Sequence, residues 1–152
     1  CQWIWDRLQN VHGTCLEFTC VKDSPEDFWV NHLENNFDIK SYNAILSLPK
    51  HDSHFEHRMV NHISKAMLRG TNTGLITYRT PSTLEEWIPN YYVEIDDLLL
   101  DIKINDLREG FNTQKDKLYF QEQSIKSFHT NYQCSKVGVG YVEQFRIERL
   151  YG

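Results

Sequence analysis

Residues 88–104 read IPNYYVEIDDLLLDIKI and concentrate groups that could do chemistry. A Pro-Asn pair leads into a predicted hairpin over 91–104, whose second strand carries Asp101 and Lys103. Side chains alternate faces along a strand, so these two point the same way. The other register, Leu98, Leu100, Ile102 and Ile104, is apolar and is expected to face a core. A carboxylate and an ammonium on one strand face, with a polar group at the hairpin's start, suit metal-dependent phosphodiester cleavage. The carboxylate holds Mg²⁺ or Mn²⁺; the lysine steadies charge on the phosphate or orients the water. The same tripeptide also suits an ordinary solvent-facing ion pair.

The elements that must position these groups follow from patterning. Residues 3–20 are apolar and aromatic without a clean period, and helix and strand stay open there. Ser24-Pro25-Glu26-Asp27 reads as a helix start: a capping serine, a first-turn proline, and acids against the positive helix end. Phe28, Leu33, Phe37, Tyr42, Ile45 and Leu46 predict one long or two broken helices to about residue 47, stopped by Pro49. A further helix runs from about Asp52, with Phe55, Met59, Ile63, Ala66 and Met67 on one face, to Gly70. Residues 75–78 predict a short strand, 80–87 a loop and 106–113 a polar connection. Residues 115–130 predict a helix burying Leu118, Ile125 and Phe128. Val137–Leu150 predicts a long strand with Val137, Val139, Tyr141, Phe145 and Ile147 in period 2. The order predicts an α+β (α/β) fold, helices packed on a small mixed sheet.

At 152 residues the chain fits one domain, with a mostly helical part over 1–47 and a core over 48–152. Hydrophobic residues at 40% and charged residues at 24% indicate a globular chain. A net charge of -5 argues against gripping nucleic acid by bulk positive charge, but not against a nuclease whose metal ions supply that charge locally. No apolar run approaches a membrane span, and nothing reads as a secretory signal. Cys1, Cys15, Cys20 and Cys134 lack CxxC spacing and read as reduced and intracellular. A start at Cys1 suggests a processed form or a domain cut from something longer.

Three further features join the hairpin. His51-Asp52 stands before Phe55 at a helix start, Lys117 stands with Tyr119 in the next predicted helix, and Phe145-Arg146-Ile147-Glu148 would close the sheet. With Pro89-Asn90-Tyr91-Tyr92 and Asp101-Ile102-Lys103, the ordered set resembles the cap-snatching endonuclease of segmented negative-strand RNA virus polymerases. That family pairs a helix-start histidine with Pro-Asp-x-Tyr, then Asp or Glu-x-Lys, then a further lysine near a tyrosine. The resemblance covers residues 45–150 and implies a PD-(D/E)xK nuclease-like core. His51, Asn90, Asp101 and the Ile102 carbonyl would bind one or two Mn²⁺ or Mg²⁺ ions. Lys103 and Lys117 would serve catalysis. It implies single-stranded or capped mRNA as substrate, the rest of a viral polymerase as partner, and a host cytoplasmic or nuclear location. The chain departs from the family at Asn90, where an aspartate bridges the ions, and lacks an evident second acid, with Glu56, Glu85 and Glu86 as candidates. Asn90 is either a natural degeneracy or an introduced silencing change.

Two other classes compete. Residues 55–67 followed by Tyr78-Arg79, with Ser127-Phe128-His129-Thr130, resemble the opening elements of NAD-using ADP-ribosyltransferases, although Glu143 and Glu148 lack the late Glu-x-Glu spacing. A non-catalytic interaction domain of nuclease fold would also suit Asn90. His51, His54, His57 and His62 raise a zinc site, without the HExxH pattern.

Overall fold

The protein is described by a computed structural model covering residues 26–130 and 140–150. The readings of residues 3–20, of Ser24 and Pro25, of Val137 and Val139 and of all four cysteines lie outside the described residues. The fold is α+β, with helices and a mixed four-stranded sheet. The contacts of the described residues group into two compact units: residues 94–130 with 140–142, and residues 26–93 with 143–150.

In the second unit, α1 (Glu26–Asn36) opens with Glu26 and Asp27 in its first turn and buries Trp29. A 3₁₀ turn at Ile39–Ser41 follows. Then comes strand β1 (Ala44–Ser47), where the apolar spacing predicts helix. The correction has a non-local cause. The five residues between Asn43 and Pro49 are too few to stabilise a helix, but four of them pair in parallel with β2 (Gly74–Tyr78), Ala44 opposite Gly74 and Ser47 opposite Thr77. Parallel strands need a crossover. Helix α2 (Phe55–Met67) supplies it, burying Met59, Ile63 and Met67 as the period predicts and leaving Phe55 exposed. Gly70, at φ +70°, turns the chain beyond the helix. A Cβ at Gly74 would meet the Arg149 and Asn43 carbonyl oxygens at 3.0 and 3.2 Å, so the strand entry needs glycine.

The sheet order is β1-β2-β4-β3, with β3 at Tyr91–Ile95 and β4 at Tyr141–Arg149. β2 and β4 are antiparallel, Tyr78 opposite Phe145 and Ile76 opposite Ile147, with an irregularity between Leu75 and Ile76. The Arg149 guanidinium donates to the carbonyls of Leu68, Thr71 and Thr73, satisfying backbone that α2 leaves open at its end.

The other unit overturns the hairpin. After β3 the chain enters helix α3 (Asp97–Gly110), not a second strand, and this helix takes up most of the polar connection expected after residue 105. Asp96 caps it, its side chain accepting from Leu99 N at 2.7 Å, and Asp97 sits in the first turn. Leu100 and Ile104 stand one helical turn apart and pack on Ile125 of α4 (Glu122–His129), with Ile95, Leu107 and Tyr141 around them. Leu98 and Ile102, expected to share their face, are exposed. The predicted helix over 115–130 is a 3₁₀ turn at Leu118–Phe120 followed by the shorter α4. Leu118, expected in the core, is 82% exposed, and Phe128 is half-buried. Among the described residues no helix is long and apolar enough to cross a membrane.

Candidate functional site

Because β1 and β2 are parallel, the loops that follow them leave the same edge of the sheet. The carboxyl edge of parallel strands is where open α/β sheets place their ligands. Here the loop 51–54 and the loop 80–84 are zipped together. Asp52 and Thr83 form an antiparallel bridge, Ser53 N donates to the Ser82 carbonyl at 2.9 Å, and Leu84 N to the His51 carbonyl at 2.9 Å. Arg58 reaches back from α2 and donates to the carbonyls of Asp52 and Ser53 at 2.7 and 2.9 Å.

The Asp52 carboxylate lies between these loops with its side chain fully buried. Its Oδ1 accepts from His54 N at 2.8 Å, and its Oδ2 from the Thr80 hydroxyl at 2.7 Å. His57 Nδ1 approaches Oδ2 at 3.1 Å. Burial alone would push this carboxyl upward. The bonds from Ser82, the His54 backbone, Thr80 and His57 outweigh it and hold the pKa below the ordinary aspartate value. An ionised carboxylate only accepts, so Nδ1 of His57 carries a proton, and in the neutral ring Nε2 holds the lone pair. Ser82 Oγ lies 3.2 Å from the same Nδ1. The His57 side chain is 28% exposed, enough to meet a solute, and its ring stacks on His54 with centroids 4.7 Å apart and planes at 28°. An imidazole held in one tautomer by a buried carboxylate is the arrangement of a general base.

The residues named from sequence are distributed between the units. His51 and Asn90 belong to the unit with the sheet, and Asp101, Ile102, Lys103 and Lys117 to the other. His51 stands in the Asp52 loop, its carbonyl accepting from Leu84. Both ends of the Asn90 amide are engaged by Ile147: Oδ1 accepts from Ile147 N at 2.7 Å and Nδ2 donates to its carbonyl at 3.1 Å. Asn90 thus imitates a strand residue. An aspartate could not supply the donor, which gives the asparagine a structural reason. Asp101 and Lys103 do not share a face, because two residues along a helix turn about 200°. Exposed Asp101 lies 3.7 Å from Lys126, which bonds Glu122 at 2.7 Å, a contact that raises the pKa of Lys126 and lowers that of Glu122. Lys103 Nζ donates to Nε2 of buried His129 at 2.9 Å, and His129 Nδ1 bonds the Ile125 carbonyl at 2.7 Å. The Ile102 carbonyl is inside a helix, where carbonyls accept from the amide four residues on. Exposed Lys117 stands over the Tyr119 ring at 5.8 Å.

The Mn²⁺ or Mg²⁺ site drawn from the resemblance does not fit these donors, since Asn90 and the Ile102 carbonyl are committed to backbone bonds. Among the described residues no three His, Cys, Asp or Glu side chains group as a metal site, and this includes the four histidines considered for zinc. Of the ADP-ribosyltransferase set, Arg79 donates to Gln144 Oε1 at 3.3 Å, Ser127–His129 lies within α4, and Glu148 faces Arg146 at 3.4 Å. Sequence reading passed over Thr80, Ser82 and Thr83. Their signal was a hydroxyl-rich loop just after a short strand.

An open hollow of about 500 Å³, lined by Glu34, Asp38, Lys40 and Arg69 among others, adjoins the ends of α1 and α2. It lies toward the amino end of β2, away from the Asp52 loops.

No protein-family model matches the chain, and no curated protein matches it. Among solved structures it is similar to the conserved protein TT1542 from Thermus thermophilus, with a TM-score of 0.59 and 14% identity. The match covers 84% of this chain and 59% of that one, so the chain spans about three fifths of its neighbour's length, and at this identity the likeness concerns the fold alone.

Proposed function

We propose that the chain is a hydrolase in which His57, oriented by Asp52, activates water at the carboxyl edge of β1 and β2. The observation that supports this most is the 3.1 Å contact between a fully buried, ionised carboxylate and a partly exposed imidazole. Nε2 accepts a proton from water as its oxygen attacks an electrophilic carbonyl or phosphoryl centre. The carboxylate steadies the imidazolium that forms, and Arg58 holds the loop that carries it. RNA cleavage, the substrate implied by the sequence resemblance, stands as the second reading. Its support is His51-Asp52 with Phe55, which occupies a helix start at this edge, as in the family's first motif.

The test is a panel of p-nitrophenyl acetate, an N-acetylated amine, bis(p-nitrophenyl) phosphate and single-stranded RNA, each with and without Mn²⁺. Wild type hydrolyses at least one, and His57→Gln loses about 10²–10⁴-fold in kcat, the usual contribution of a general base. Turnover of RNA alone, and only with Mn²⁺, favours the second reading. Equal rates for wild type and His57→Gln would remove the histidine from the chemistry.

A further inference from the structure

We infer that His54 is the general acid of this site and protonates the leaving group. The inference rests on the hydrolase reading above. Water attack leaves a tetrahedral or pentacoordinate centre whose collapse expels an alkoxide or amide unless a proton arrives. A second acid-base group must therefore reach the same centre as the first, from a position open to solute. His54 meets both conditions. Its ring stacks on that of His57 at 4.7 Å and 28°. Its side chain is 53% exposed, so a bound ester or amide can meet it. The two histidines also have separate anions. His57 faces the buried Asp52 at 3.1 Å, and His54 faces the half-exposed Glu56 at 3.9 Å. The backbone N–H of His54 donates to Asp52 Oδ1, which fixes the segment that carries its ring.

The step balances without a further reactant. His57 takes a proton from water, the water oxygen bonds to carbon or phosphorus, and the bond to the leaving oxygen or nitrogen breaks. His54 gives that atom its proton, and one solvent proton exchange returns both rings to their starting forms.

The test is a leaving-group series built on whichever bond wild type hydrolyses, running from an activated aryl group to an alkyl group. An aryl oxide departs without a proton and an alkoxide does not, so the loss in His54→Gln grows along the series to about 10²–10⁴-fold at the alkyl end. His57→Gln loses rate at both ends. Because His54 is exposed, His54→Gln keeps the wild-type melting temperature, and His54→Asn repeats the measurement in a second background. A loss that is the same at both ends overturns the role of His54 and leaves the hydrolase intact. Absence of any turnover by wild type overturns both.

Discussion

The two compact units handle charge in opposite ways. Around Asp52 a carboxylate is buried and met by a backbone N–H, a hydroxyl and an imidazole, all on loops anchored by parallel strands. Around Asp101 the acids stand largely in water on the outer surfaces of two helices, with Lys126 half-buried between them, and the core beneath is Leu100, Ile104 and Ile125. Burial makes every bond to Asp52 costly to remove and fixes the geometry of His57. Exposure leaves the Asp101 group screened and replaceable. Residue types that look alike in sequence therefore carry different chemical weight.

The largest expected effect breaks the first half of this contrast. Asp52→Ala leaves Thr80, His57 and the His54 amide without their buried acceptor, and destabilises the protein by about 3 kcal/mol or more in urea melts. Its pH dependence has a definite sign. The folded-state pKa lies below the unfolded value of about 3.9, so the carboxylate's contribution is fully present above that pH and fades as pH falls through the folded value. The gap between wild type and Asp52→Asn should close on acidification. A gap independent of pH down to the acid limb would mean that the carboxylate is not held ionised.

Asn90→Asp has a smaller effect. It removes the Nδ2 donor and sets a carboxylate oxygen against the Ile147 carbonyl, lowering stability by about 1 kcal/mol with or without Mn²⁺. Stabilisation by Mn²⁺ in the aspartate variant would instead restore position 90 as a ligand. The smallest effect completes the comparison. Lys126→Ala removes the exposed contacts to Asp101 and Glu122 and leaves the melting temperature unchanged within error. A clear drop would show that the two units treat charge alike.

What the sequence alone determined was set by neighbours a few residues apart. The burial of Met59, Ile63 and Met67 follows from the 3.6-residue period of α2, and its end follows from Gly70. The β2 strand and the α+β class were legible in the same way. The segment 97–104 was ambiguous, since Leu98, Leu100, Ile102 and Ile104 satisfy period 2 while Leu100 and Ile104 also satisfy a helical turn. Asp96 and Asp97, a cap and a first-turn acid just before the apolar run, were the local signal that favoured the helix. Tertiary structure decided the rest. Ala44–Ser47 is a strand because it pairs with residues about thirty positions later. Asp52 is buried because that pairing carries the 80–83 loop onto it. No local pattern encodes the meeting of Asp52 with Thr80, for the physical reason that burial and hydrogen-bond partners belong to the folded chain and not to any segment of it.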